Sequence, residues 1–213
     1  MSMSSVQLIL VDPNRALCQA FQSAFAQSPN VTVVNGIFEH LPAFDCMVSA
    51  ANSFGLMDGG VDAAITRFFG AQLERRVQQH ILDAYLGEQS VGTSFIIPTD
   101  HPRHPFLAHT PTMRVPMTIA HTDNVYRAMW AMLLAVRAHN RQTDQPITRI
   151  ACPGLGTATG RVPFVEAARQ MALAYHHFLE PPNAITWQLA DRRQRDVRYG
   201  GDMGLHIPPE GKQ

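Results

Sequence analysis

Apolar positions along the chain fall into short continuous runs that alternate with longer runs of helical spacing, the pattern of an α/β domain. Val6 to Val11, broken only by Gln7, predicts a buried strand ending at Asp12-Pro13. Leu17, Phe21, Ala24 and Phe25 recur at helical spacing within Asn14 to Gln27, and Pro29-Asn30 closes that helix. Val31 to Val34 and Cys46 to Ala50 predict two further strands, the second giving way to a polar, glycine-rich stretch from Asn52 to Asp62. From Asp62 to Leu86 the residues Leu73, Val77, Ile81 and Tyr85 lie four apart on one helical stripe, and Gly70 is a natural point of division.

Thr93 to Ile97 predicts a strand. His101 to Pro116 holds too many prolines for a helix and predicts mostly loop, with room for one short strand. Asn124 to His139 reads as a helix capped by Thr122 or Asp123, Ile147 to Cys152 as a strand, and Pro163 to Leu179 as a helix with Pro163 in its first turn. Ile185 to Leu189 predicts a last strand, and the polar remainder a tail. The expected organisation is one domain over residues 1–190 and a C-terminal tail over 191–213.

Composition narrows the chemistry. With 213 residues, 46% of them hydrophobic and 16% charged, the chain can bury a full core and is too apolar to be disordered. Seventeen basic residues balance 17 acidic ones, so a general polyanion binder, which needs an excess of base, is not expected. Lys212 is the only lysine. No lysine is therefore available inside the body for a Walker phosphate loop, a kinase strand or a Schiff base. Cys18, Cys46 and Cys152 are too dispersed for a disulfide framework or a structural zinc site. Without a basic leader or a membrane-length apolar run, the expectation is a soluble, cytoplasmic protein with no membrane partner, no metal and no cofactor.

Two stretches carry candidate chemistry. The first is Asp45-Cys-Met-Val-Ser-Ala-Ala-Asn52, followed by Ser53 to Asp62 with Gly55, Gly59 and Gly60. The second is Ile150-Ala-Cys152, followed by Pro153-Gly-Leu-Gly-Thr-Ala-Thr-Gly160. Each is a strand, a glycine-rich turn and a helix start. Glycine lets bare backbone N–H groups approach a ligand, and a helix N-terminus adds partial positive charge. Two such loops on one sheet could hold a diphosphate without lysine, although either could equally be a tight turn.

These residues resemble the macro domain family. Asp45 to Asp62 is similar to its Asn-Ala-Ala-Asn strand, glycine loop and Val-Asp pair. Pro153 to Pro163 is similar to its second loop, and Pro-Gly-Leu-Gly-Thr and His109 to Pro116 resemble a bacterial or phage-associated branch. The resemblance, spanning Val6 to about Leu179, implies a three-layer αβα fold with a mixed central sheet that binds ADP-ribose or an ADP-ribosylated substrate. It implies ligand contacts at Ile37, Ala51, Asn52, Gly59, Gly60, Val61, Gly156, Thr157, Ala158, Thr159 and Gly160. In hydrolytic members it implies catalytic roles for Asn52, toward the distal ribose, and for Asp62, toward a water at the anomeric carbon. On the residues alone, Asn52 and Asp62 could also be turn and helix caps.

The chain departs from the family pattern in places. Ser49 stands where many active members have asparagine, and Thr66 where some have histidine. Ile37 follows Gly36 where an aspartate often reads adenine, and no adjacent glutamate pair follows Gly60. Three readings stay open: an ADP-ribosyl hydrolase, a non-catalytic ADP-ribose or nucleotide module, and a phage or defence accessory that sequesters a nucleotide signal. Leu8 to Asn14 resembles the start of a receiver domain, but the acid cluster and downstream lysine such a domain needs are absent, and no dinucleotide glycine fingerprint follows the first strand. His101, His104 and His109 are expected in a solvated loop, and Arg192, Arg193, Arg195 and Arg198 in a solvated tail.

Overall fold

In the computed structural model, which describes residues 6–28 and 30–198, the chain begins with β1 (Gln7–Asp12), α1 (Arg15–Ala24) and β2 (Val31–Asn35). A short 3-10 turn at Phe38–His40 leads into β3 (Cys46–Asn52), α2 (Gly60–Phe69) and α3 (Gln72–Tyr85). Then come β4 (Phe95–Pro98), β5 (Phe106–Met113), α4 (Asn124–Gln142), β6 (Arg149–Cys152), α5 (Phe164–Leu179) and α6 (Trp187–Val197).

The strands form one six-stranded sheet in the order β2-β1-β6-β3-β5-β4. All neighbours are parallel except β4, which runs antiparallel to β5. A parallel sheet must be covered on both faces, which is why its strands read as unbroken apolar runs. Leu8, Leu10, Val48 and Ile150 point to a core shared with α1, α4 and α5. Ile9, Val11, Met47 and Leu107 point to the opposite core, closed by Ile65 of α2 and by Leu73, Val77 and Ile81 of α3. The architecture is the expected three-layer αβα sandwich around a mixed sheet.

Asp45 joins two central strands where they begin. Its Oδ2 accepts from the Thr148 N–H at 2.7 Å, the Thr148 hydroxyl at 2.6 Å and the Arg149 N–H at 2.8 Å. Gly70, with φ 93°, ends α2 and separates it from α3 where the sequence allowed a division.

Three expectations are corrected. The proline-rich stretch expected to be mostly loop contains the eight-residue strand β5, every residue of which is buried. Pro111 is tolerated there because pairing with β4 ends at His109, and because the register with β3 slips between Ala51 and Asn52. His104 and His109, expected in solvent, are 2% and 0% exposed, each with its Nδ1 in a hydrogen bond. The apolar run at Ile185–Leu189, expected as a strand, leads into α6, where the Thr186 hydroxyl caps the helix by accepting from the Leu189 N–H. Arg192, Arg193 and Arg195 lie on this helix, and Arg193 sits over the Trp130 ring at 5.2 Å. Residues 199–213 of the expected tail lie outside the described residues.

Candidate functional site: a cleft between two glycine loops

Parallel order brings the carboxyl ends of β1, β6 and β3 to one edge of the sheet, the place where open α/β sheets bind ligands. A cleft of about 660 Å³ opens there. All twelve residues singled out in the sequence line it: Ile37, Ala51, Asn52, Gly59, Gly60, Val61, Asp62, Gly156, Thr157, Ala158, Thr159 and Gly160.

The first loop is built by Asn52. Its Oδ1 accepts from the Phe54 N–H at 3.1 Å and the Leu56 N–H at 3.4 Å, while its Nδ2 donates to the Leu56 carbonyl at 2.8 Å. An amide has two donor hydrogens and two acceptor sites, so this clamp leaves one N–H for a ligand. The loop is pinned from below as well, because the Met57 N–H donates to Glu74 and Gln78 Nε2 donates to the Gly55 carbonyl. The turn ends at Gly59 and Gly60, the cap and first residue of α2. Gly60 has φ 56°, a left-handed conformation that favours glycine, and an added Cβ would project into open space.

Asp62 lies in the first turn of α2, 5% exposed. The Ser49 hydroxyl, fully buried on β3, donates to its Oδ1 at 2.7 Å. Burial pushes the Asp62 carboxyl up to about 7; the Ser49 hydrogen bond restrains the rise and the charge of Glu74 adds to it. A carboxyl poised near neutrality can exchange a proton at the pH of a cell.

The second loop follows β6. The Gly156 carbonyl accepts from the Val162 N–H at 3.1 Å and the Ala158 carbonyl from the Arg161 N–H at 3.1 Å, which close it into a compact turn. Gly160 sits so tightly that an added Cβ would lie 2.5 Å from the Gly156 carbonyl oxygen. Its crest, Ala158 and Thr159, is exposed toward the cleft.

Several lining residues were not singled out in the sequence: Asp12, Glu39, Asp58, Arg67 and Phe164. Gly60, Ala64 and Arg67 recur at helical spacing, so one face of α2 meets the cleft, and that spacing was legible. Asp12 belongs because β1 lies parallel to β6 beside it. Arg67 is the one basic residue on the wall among the described residues, against the carboxylates of Asp12, Glu39, Asp58 and Asp62. A phosphate held here must therefore rely largely on backbone N–H groups and the α2 N-terminus. Among the described residues no three His, Cys, Asp or Glu side chains gather to hold a metal ion, and no helix is long and apolar enough to cross a membrane.

The structure is a parallel-rich αβα sandwich with two glycine loops flanking a cleft at the strand ends. Residues 48–171 match the family model described as Macro domain, and the chain belongs to that family. Among its relatives is an uncharacterized protein of Aquifex aeolicus, 32% identical over 143 residues that span 67% of this chain and 78% of that one. The fold is similar to a mutant Oceanobacillus iheyensis macrodomain solved with ADPR, with TM-score 0.60 and 17% identity, over 92% of this chain and 95% of that one. It is also similar to the same macrodomain with ADP, with TM-score 0.57 and 20% identity, over 76% and 86% of the two chains. At these identities the structural likeness establishes the fold.

Proposed function

We propose that the cleft binds ADP-ribose or a closely related ADP-ribosyl group. The observation that carries this reading is the convergence of both glycine loops and the α2 N-terminus on one cavity with a single arginine on its wall. That arrangement suits a ligand whose two phosphates are met by N–H groups and whose remainder is neutral sugar and base. The solved macrodomain structures with ADPR and ADP support the same reading. Thermal unfolding with and without ADP-ribose tests it: a midpoint that climbs with ligand concentration is expected, and an unmoved midpoint at millimolar ligand counts against it.

The same site supports hydrolysis of an ADP-ribosyl linkage. With its carboxyl raised to about 7, Asp62 can take the proton of a water that attacks the anomeric carbon, while the bond from that carbon to the linkage atom breaks and the departing group takes up a proton. Ser49 holds that carboxylate in place, and the free N–H of Asn52 is available to a ribose hydroxyl. Release of ADP-ribose from a modified protein, nucleic acid or ester, abolished in Asp62→Ala, is the expected result. A variant that turns over normally removes Asp62 from the role.

A purely binding role is the second reading, favoured by the three hydrogen bonds that commit most of the Asn52 amide to its own loop. It predicts affinity with no turnover on any linkage. Within it falls sequestration of a nucleotide signal by a phage or defence accessory protein, in a bacterial or phage branch of the family.

A further inference from the structure

Gln170 is a fully buried polar residue of α5, set among the buried Ala167, Met171 and Ala174, and it does not line the cleft. Its amide sits where α4 begins. The Tyr126 N–H is the third in that helix and has no intrahelical acceptor, and Asp123 before the helix supplies no side-chain cap. Gln170 Oε1 accepts from that N–H at 3.0 Å, and Nε2 donates to the Thr122 carbonyl at 2.9 Å. The amide thus bridges an N–H and the carbonyl four residues earlier, the pair that a longer helix would join directly. The second hydrogen of Nε2 goes to Glu166 Oε1 at 2.9 Å, on a carboxylate that Arg169 also forks. Both donor hydrogens are spent, and one orientation fits. The reverse would set the amide oxygen against the Thr122 carbonyl and the Glu166 carboxylate.

We infer that Gln170 is a positioning residue for the second glycine loop, acting through Thr122 and Ile119; its effect on ligand affinity rests on the ADP-ribose reading above. The turn that Gln170 holds is the one against which that loop packs. The Thr122 hydroxyl donates to the Ile119 carbonyl at 2.7 Å, and the Ile119 N–H donates to the Gly160 carbonyl at 2.9 Å. The apolar contact is equally close. An added Cβ on Gly156 would lie 2.9 Å from Val125 and 3.0 Å from Ile119, and one on Gly160 would lie 2.8 Å from Ile119. With so little slack, a displacement of the segment from Ile119 to Val125 is passed on to the loop. Ala158 and Thr159, at the loop's crest in the cleft, move with it. A hydrogen bond weakens steeply as its donor leaves the preferred distance and angle, so Gln170 governs affinity without touching the ligand.

Gln170→Met keeps the length of the side chain and removes all three hydrogen bonds. Calorimetric titration with ADP-ribose is expected to show affinity about ten-fold weaker, and hydrogen exchange at the Ile119 N–H is expected to be faster. Asp45→Ala loosens the strands at the end remote from the cleft and is the control for a general loss of stability. It should leave both readouts near those of the unaltered protein. Thr122→Val keeps Gln170 but removes the hydroxyl bond to Ile119. It should reproduce both changes, and it decides the matter if Gln170→Met does not fold. Unchanged affinity or unchanged Ile119 exchange in the folded variants overturns the assignment, and so does an equal loss in Asp45→Ala. If the unaltered protein binds no ADP-ribose, the ADP-ribose reading falls, and Ile119 exchange alone then tests whether Gln170 sets the loop.

Discussion

Ser49 Oγ lies 2.7 Å from Asp62 Oδ1, and both groups are buried between the sheet and α2. A serine in place of the family asparagine therefore acts on the chemistry of the site by holding a carboxyl whose charge burial disfavours.

That carboxyl makes stability depend on pH in a defined direction. Because the folded-state value is raised to about 7, native Asp62 keeps its proton where the unfolded chain has lost it. Between about pH 4 and 7 the native state binds more protons, so this residue's contribution worsens as pH rises and is fully unfavourable above the folded value. Asp62→Asn should gain stability relative to the unaltered protein as pH is raised across that window, by up to about 4 kcal/mol. Denaturant unfolding from pH 4 to 8 checks this, and a pH-independent difference contradicts it.

His109 has the opposite slope. Its Nδ1 donates to Gln89 Oε1 at 2.6 Å, its buried Nε2 has no hydrogen-bond partner among the described residues, and burial pushes the ring down to about 3, with His80 adding to the fall. The unfolded chain takes up this proton below about 6.5 while the folded chain resists, so stability is lost as pH falls from there toward 3. His109→Gln should flatten the acid limb of the stability curve whatever it does to stability at neutral pH. An unchanged acid slope counts against the assignment.

Two glycines of the cleft should respond differently to alanine. Gly60→Ala adds a methyl group in open space and costs about 1 kcal/mol for its left-handed φ. Gly160→Ala drives a Cβ to 2.5 Å from the Gly156 carbonyl oxygen and 2.8 Å from Ile119, so the loop must shift at a cost of about 1–3 kcal/mol or more. Paired chemical unfolding curves separate them, and the reverse order of stability would contradict the loop geometry.

Asp45→Ala removes the acceptor for the half-buried N–H groups of Thr148 and Arg149 and for the Thr148 hydroxyl, where the chain enters β6. A loss of about 2–4 kcal/mol is expected, with Asp45→Asn intermediate because its amide keeps one acceptor. Thermal and urea midpoints for the two variants provide the check.

Strands with apolar runs and helices with a stripe of Leu, Val and Ile were readable from the pattern, because burial there is repaid by the side chains themselves. β5 was not, because His109, Thr110, Pro111 and Thr112 are polar or ladder-breaking residues whose burial depends on distant partners. Ser94 meets Thr110, Gln89 meets His109, and Asn124 Nδ2 donates to the Thr112 carbonyl. α6 departs from the apolar pattern for the converse reason: Ile185 has strand character but is 93% exposed, and the helix is set by the Thr186 cap and by Arg169, which donates to the Asp196 carbonyl. In the site, glycine turns announce themselves locally. Arg67 follows from the helical phase set by Gly60, whereas Asp12 reaches the cleft only because β1 lies beside β6, a property of the assembled sheet.

In the proposed function, ADP-ribose sits in this cleft, held by the two glycine loops. Calorimetric titration of the folded protein with free ADP-ribose, run beside Gly60→Glu, tests it most directly. Saturable one-to-one binding that is lost in a variant with a carboxylate thrust into the cleft is the predicted result. No binding at millimolar ADP-ribose, or equal binding by a folded Gly60→Glu variant, would contradict it.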